Sequence, residues 1–280
     1  MISNSSVQNL IRLALAEDIG RGDITTEAII DENLKATATI LIKQPAKVVG
    51  LPMIEAVFDA LDRNVVVNYL ARDGQDVSGE RIAVCELKGP AKSILTGERT
   101  ALNFLGRLTG IATLTREAVE LLSGTKVKLL DTRKTTPGWR VLEKYAVKTG
   151  GGFNHRFGLD DMVLIKDNHI ALCGSVEKAI ELARTKVGLS QKIEVEVDTF
   201  EQLEEALETS ADIILLDNMA PELLSKAVQL VNGRVPLEAS GNMNLDKLAE
   251  VAKTGVDYIS MGALTHSAVS VDVGLDIVFQ

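Results

Sequence analysis

The chain has 280 residues, 46% of them hydrophobic and 25% charged, which suits a globular protein with a real core in one large or two unequal domains. A formal charge of −9 argues against nucleic acid as the main partner, and 4% aromatic residues disfavour a base-stacking platform. No apolar run reaches the length of a membrane span, the start MISNSSVQNL lacks the features of a signal peptide, and Cys85 and Cys173 have no motif spacing, so a cytoplasmic protein with free thiols is expected.

Residues 7–16 carry Val7, Leu10, Ile11, Ala14 and Leu15 at helical spacing. Residues 36–43 alternate as a strand, 52–61 read as a short helix, and 65–70 and 81–87 read as strands around the turn-rich RDGQDVSGE. This is the texture of an α+β unit. Residues 92–122 then look helical, with a break expected near Thr109-Gly110. Glu98 falls in the middle of the apolar face formed by Ile94, Leu95, Ala101, Leu102 and Leu105, with Arg99 at its edge. A carboxylate there needs a partner.

After Gly124 strand-like runs alternate with amphipathic helices. The runs are VKLLDTRKT, VLIKDNH, KIEVEVD, DIILLDN, VPLEASGN and DYISMGAL; the helices are 175–185, 200–208, 221–231 and 245–254. Ser175 is a good N-cap, Thr199 with Gln202 fits a capping box, and Pro221 suits a first helical turn. Near-continuous apolar strands between helices indicate a parallel sheet covered on both faces. Six strands, with a short extra one expected at 146–148, fit a β/α barrel better than the alternative, a doubly wound open sheet. The expected division is residues 1–110, a barrel at 111–270, and a strand at 271–280 returning to the first domain.

The strand runs end in polar or small residues: Asp131-Thr132-Arg133-Lys134, Lys166-Asp167-Asn168-His169, Glu196-Val197-Asp198, Asp217-Asn218, Ser240-Gly241-Asn242, and Gly262 with His266. In a β/α barrel such ends converge on one face, where active sites are built. A single pair is explained as well by a helix cap; six in register are not. From Lys126 to His169 nine Lys/Arg face five Asp/Glu, a basic island in an acidic chain. Such an island focuses a small, highly charged anion. Arg133, Lys134, Arg156 and Lys166 can take two anions side by side. Glu196 and Asp217 suit Mg²⁺, which binds one or two carboxylates plus substrate phosphates. Ser240-Gly241-Asn242 and Met261-Gly262-Ala263 lie where barrels make a phosphate cradle. His155 sits beside Arg156 in the loop opened by Gly150-Gly151-Gly152, a stretch that also reads as a plain flexible turn. Metal-ligand histidine spacing, a nucleophile elbow and a P-loop are all missing.

The stretch DTRKTTPGWRVLEKYAVKTGGGFNHRFGLDDMVLIKDNHI resembles the core signature of the quinolinate phosphoribosyltransferases. The resemblance extends over AEDIGRGDITT, GERTALNFLGRLTGIAT, IEVEVD, ILLDNM, LEASGN and YISMGALTHS, almost the whole chain. It implies an N-terminal α/β sandwich domain followed by an incomplete, six- or seven-stranded β/α barrel, in a homodimer. The implied reaction joins quinolinate to phosphoribosyl diphosphate, with Mg²⁺, and yields nicotinate mononucleotide, diphosphate and CO₂. By motif position Arg99 is donated to the partner's site. Arg133, His155 and Arg156 hold the carboxylates, and Lys134 and Lys166 bridge toward the phosphates. Glu196 and Asp217 meet the ribose hydroxyls and Mg²⁺-diphosphate, and Ser240, Gly241, Gly262 and His266 hold the 5′-phosphate. Thr132, Asn242, Met261 and Ala263 complete the expected substrate-binding set. A molybdenum-locus relative shares DTRKT and GGG…HR, but VLIKDNH with Lys166 fits the quinolinate enzymes better. A non-catalytic anion binder would not need the Glu196/Asp217 pair.

Overall fold

The computed structural model describes residues 2–278, in two compact units. The first takes in residues up to 116, 135–151 and those from 267 onward; the second is 117–134 with 152–266.

The first unit opens with helices α1 (Ser5–Ile19) and α2 (Ile24–Ile29). Strands β1 (Lys35–Ile42), β2 (Ala46–Lys47), β3 (Val66–Tyr69), β4 (Asp76–Val77) and β5 (Ile82–Pro90) follow, with helix α3 (Leu51–Leu61) after β2. Helix α4 (Ala91–Leu121) is long and helix α5 (Arg140–Gly150) joins from further on. Strand β12 (Val273–Val278) pairs antiparallel with β1, Thr37 opposite Val278, and completes a four-stranded sheet in the order β12-β1-β5-β3. Val7, Ile11 and Leu15 of α1, Ile54, Val57 and Phe58 of α3, and Ile94, Leu102 and Leu105 of α4 are buried with Ile40, Ile42 and Leu87 of the sheet. This is the expected sandwich.

Two expectations about this unit fail. Helix α4 runs unbroken through Thr109 and Gly110, so the break expected there does not occur. Gly110 is there for packing: a Cβ would lie 2.0 Å from the Val269 carbonyl oxygen. The Thr109 hydroxyl donates to the Val49 carbonyl and accepts its N–H. Residues 146–148 belong to a helix and not to an extra strand. Leu142, Ala146, Val147 and Gly150 form its buried face, and a Cβ on Gly150 would lie 2.7 Å from the Ala112 carbonyl oxygen of α4. Fully buried Glu143 anchors the helix by accepting from Arg107 Nη2 at 2.9 Å and from Thr136. Glu98 is half-buried beside exposed Arg99; burial raises its pKa and the Arg99 charge opposes the rise.

The second unit is built on six parallel strands: β6 (Lys128–Leu130), β7 (Val163–Ile165), β8 (Ile193–Val197), β9 (Ile213–Asp217), β10 (Leu237–Ser240) and β11 (Tyr258–Ser260). Their order is β6-β11-β10-β9-β8-β7. The helices between them are α6 (Asp167–Cys173), α7 (Val176–Arg184), α8 (Phe200–Leu207), α9 (Pro221–Val231), α10 (Leu245–Ala252) and the short α11 (Ala263–His266). The N-caps fall where expected: the Ser175 and Thr199 side chains accept from Lys178 N and Gln202 N, and Pro221 opens α9. The capping box expected at Thr199 is not closed, because Gln202 Oε1 accepts from Asp198 N instead. β6 and β7 do not pair, so the barrel is incomplete. Beside β6, Phe153 makes a parallel bridge with Leu130, the position of a rudimentary seventh strand. Among the described residues no helix is long and apolar enough to cross a membrane. Cys85 and Cys173 are free thiols.

Candidate active site

Successive residues of a strand point to opposite faces. In β8 Ile193, Val195 and Val197 are apolar and buried, while Glu194 and Glu196 take the other face. The same alternation sets Glu238 and Ser240 against Leu237 and Ala239 in β10. Leu164, Lys166, Glu196, Leu215, Asp217, Glu238, Ser240 and Ser260 thereby line one cavity of about 470 Å³, together with Thr132, Arg133, Lys134, His155, Arg156, Asn218, Gly241 and Asn242. All belong to the second unit. An adjoining cavity of about 370 Å³ adds Gly262, Ala263, His266 and Lys247.

Fully buried Asp131, just past β6, organises the basic wall. One of its oxygens accepts from His155 N at 2.8 Å, the other from Asn154 Nδ2 at 2.7 Å. This fixes the loop that carries Arg156. Arg156 is buried, and its Nη1 donates to the Met162 carbonyl at 2.9 Å, just before β7. Burial lowers its pKa, and the like charge of Arg133 lowers it further. Two neighbouring guanidiniums in a recess form a site for an anion.

Beneath them lies a buried acidic floor. Glu194 and Glu238 are almost wholly inaccessible, and His155 Nε2 lies 3.0 Å from Glu194 Oε2 and 3.6 Å from Glu238 Oε2. Burial, and then the Glu194 charge, push the Glu238 carboxyl up to about 8. The group is therefore largely protonated at neutral pH. The ligand atoms of these three residues lie within 4.8 Å of one another, spacing that would suit a cation. The imidazole is not free to serve one. Its Nδ1 accepts from Arg156 N at 2.7 Å, so in the neutral ring the proton sits on Nε2, toward the carboxylates.

Opposite, Lys166 Nζ donates to Glu196 Oε2 at 2.7 Å. His169 Nδ1 accepts from Lys166 N, which makes the KDNH segment the cap of α6 as well as a strand end. Lys134 is placed from both sides: Thr132 Oγ1 accepts its N–H, and its carbonyl accepts from the Thr265 hydroxyl at 2.7 Å. Its stem packs beside Gly262, where a Cβ would lie 3.0 Å from Lys134 Cδ and 3.2 Å from the His266 ring.

Two protein-family models match the chain: the N-terminal domain of quinolinate phosphoribosyl transferase over residues 23–109 and its C-terminal domain over 111–276. The chain belongs to the quinolinate phosphoribosyltransferase family. A probable nicotinate-nucleotide pyrophosphorylase (carboxylating) of Bacillus subtilis is 45% identical over 99% of this chain and 95% of its own length. A quinolinate phosphoribosyltransferase (decarboxylating) of Nicotiana glauca is 40% identical over 97% of this chain and 82% of its own. The solved nicotinate-nucleotide pyrophosphorylase of Francisella tularensis superposes with a TM-score of 0.93 at 42% identity, covering 99% of both chains. NadC of Streptococcus pyogenes gives 0.92 at 41%, covering 97% of both.

Of the residues expected in a quinolinate phosphoribosyltransferase site, Thr132, Arg133, Lys134, His155, Arg156, Lys166, Glu196, Asp217, Ser240, Gly241 and Asn242 line the first cavity, and Gly262, Ala263 and His266 the second. Met261 is not brought in: its side chain is buried and its N–H is spent on the Leu130 carbonyl. Arg99 belongs to the first unit and is exposed on α4. Sequence reasoning missed Glu194, Glu238, Ser260 and Lys247, and named Asn218 only as part of a strand end. For Glu194 and Glu238 a signal existed. Each stands two residues before an expected cavity residue, hence on the same strand face.

Proposed function

We propose that this cavity transfers phosphoribosyl from phosphoribosyl diphosphate to quinolinate with decarboxylation, giving nicotinate mononucleotide, diphosphate and CO₂. The observation that carries the reading is the pairing, in one cavity, of an arginine wall with a lysine–carboxylate wall. Arg133 and Arg156 take the two carboxylates of a rigid aromatic acid. Both nitrogens of His155 face groups within the protein, so a carboxylate reaching it must displace one of them.

Lys166, Glu196 and Asp217 take the diphosphate and ribose end, with Lys134 between the two substrates. Ser240, Gly241, Gly262 and His266 take the 5′-phosphate. Glu196 and Asp217 fit Mg²⁺ as the carboxylates of a partly open site. One Glu196 oxygen is held by Lys166, and among the described residues the pair belongs to no cluster of three or more metal-ligand side chains. Bound there with the substrate, Mg²⁺ would neutralise the departing diphosphate.

The pyridine nitrogen attacks the anomeric carbon as the bond to diphosphate breaks, and the diphosphate leaves with the bonding electrons. No covalent nucleophile is needed, so the side chains act by positioning and by stabilising charge. Loss of CO₂ then leaves an electron pair on a ring carbon beside the cationic nitrogen, which stabilises it until a proton arrives.

Arg99 is exposed and has no ion pair among the described residues. We assign it to the active site of a second copy, in a homodimer. Mixing the protein with quinolinate, phosphoribosyl diphosphate and Mg²⁺ tests the reading. Nicotinate mononucleotide and CO₂ should form in equal amounts. Nicotinic acid, which lacks the second carboxylate, should be a poor substrate; efficient use of it would overturn the assignment.

A further inference from the structure

Asp217 ends β9, and the residue after it, Asn218, has φ 54°. Across the strand ends Gly241 has φ 100° and Asn242 has φ 46°. Left-handed backbone is uncommon outside glycine, and asparagine is among the residues that tolerate it best. Here it serves a chain of hydrogen bonds. Asn218 N–H donates to the Ser240 carbonyl at 2.9 Å, extending the β9–β10 ladder beyond the strand. The Asn218 side chain then folds back, and its Nδ2 donates to Asp217 Oδ2 at 2.6 Å. Its Oδ1 accepts from Asn242 Nδ2 at 3.3 Å, and the Asn242 carbonyl accepts from Lys247 Nζ at 3.2 Å.

Gly241 is what leaves room for this. A Cβ there would lie 2.2 Å from Asn218 Oδ1 and 2.5 Å from its Cγ, both far inside contact distance. Positive φ alone would also admit asparagine at 241; the crowding restricts the position to glycine.

We propose that Asn218 is a positioning residue that pins one oxygen of Asp217 and ties it, through Asn242 and Gly241, to the turn assigned to the 5′-phosphate. The inference rests on the role given above to Asp217. A carboxylate at a strand end otherwise rotates freely, and ordering it costs binding energy when the ligand arrives. Pinned at Oδ2, it presents Oδ1 in one direction. Phosphoribosyl diphosphate then meets both ends of its site already in register. Outer partners of this kind are typically worth about ten- to a hundredfold in metal affinity or activity.

The clean variant is Asn218→Gly, which keeps the left-handed backbone at no steric cost and removes only the amide. Gly241→Ala attacks the same seat from the other side. The readouts are calorimetric binding of phosphoribosyl diphosphate with Mg²⁺, calorimetric binding of quinolinate, the KM of each substrate, and Tm. Both variants should bind phosphoribosyl diphosphate about ten- to a hundredfold more weakly, with a matching rise in its KM. Quinolinate affinity should hold in both, and Tm should hold in Asn218→Gly; Gly241→Ala, strained by its positive φ and the crowding, should lose some Tm. Undiminished phosphoribosyl diphosphate binding by Asn218→Gly, in a series where Asp217→Ala weakens it, overturns the proposal and leaves the reading of Asp217 standing. If Asp217→Ala also binds normally, both fall. Equal losses for both substrates, or a collapse of Tm, in Asn218→Gly would show a merely structural turn and likewise overturn the positioning role.

Discussion

The arginine wall of the cavity and the turns assigned to the 5′-phosphate are made from different materials. Around Arg133 and Arg156 the wall is buried charge over a floor of Glu194, Glu238 and His155. Around Ser240–Asn242 and Gly262 it is turns, in which amides and left-handed backbone stand where charge would be. The difference follows from what each wall is assigned to hold. Carboxylates on a rigid ring are matched by planar guanidinium forks. A phosphate at the end of a flexible sugar is met by donors whose directions the backbone sets. The first solution needs buried countercharges; the second needs backbone conformations that few residues accept.

The largest expected effect separates the arginine wall from the lysine–carboxylate wall. Chelating the metal should abolish turnover, because the lysine–carboxylate wall then lacks its countercharge. Calorimetric quinolinate binding should survive, since the arginine wall does not depend on the metal. Turnover that persists under chelation removes Mg²⁺ from the scheme.

Next comes the contribution assigned to the partner. Arg99→Ala should fold and dimerise yet be nearly inactive. Mixed with an inactive Lys134→Ala chain, it should regain activity, because one site of each mixed dimer receives neither defect. Random pairing allows about a quarter of the normal activity per chain. No recovery in proven heterodimers would return Arg99 to its own chain.

Within the arginine wall, Arg156→Lys keeps the charge and loses the fork. A charged hydrogen bond is worth roughly 1.5–3 kcal/mol, so kcat/KM for quinolinate should fall about ten- to a hundredfold. Unaltered quinolinate kinetics would show that the fork is not what the substrate meets.

The smallest effect concerns the floor. Because the folded Glu238 carboxyl titrates near 8, well above its ordinary value of 4.5, the native state keeps a proton that the unfolded chain releases. Stability from this group is fully present at low pH and is lost as pH rises to about 8. Glutamine carries no such proton. The Tm of Glu238→Gln relative to the natural protein should therefore climb between about pH 5 and 8, then level off. A pH-independent difference would mean that Glu238 is ionised in the fold throughout.

How far the site could be read in advance differs between the walls in the same way. Arg133, Lys134, Arg156 and Lys166 announce themselves as a basic island in an acidic chain. The turn wall shows only as small residues at strand ends. Asn218 there is an ordinary polar residue until its φ and the crowding at Gly241 are known. Glu194 and Glu238 were legible in part, through the two-residue period of IEVEV and LEAS, but nothing local says that both turn toward one histidine.

The sequence by itself determined the alternating strands and helices of the second unit and their caps at Ser175 and Thr199. Those depend on side-chain period and on hydrogen bonds within a few residues, which are local. Only the tertiary structure decided that α4 passes unbroken through Gly110, that residues 146–148 are helical, that Met261 is buried, and that Nε2 of His155 turns to two buried carboxylates. Each of these is set by a neighbour distant in sequence: the Val269 carbonyl at Gly110, α4 beneath Gly150, the Leu130 carbonyl at Met261, and Glu194 and Glu238 at the imidazole. A local pattern cannot encode the approach of a second segment, and close approach is what chose these conformations.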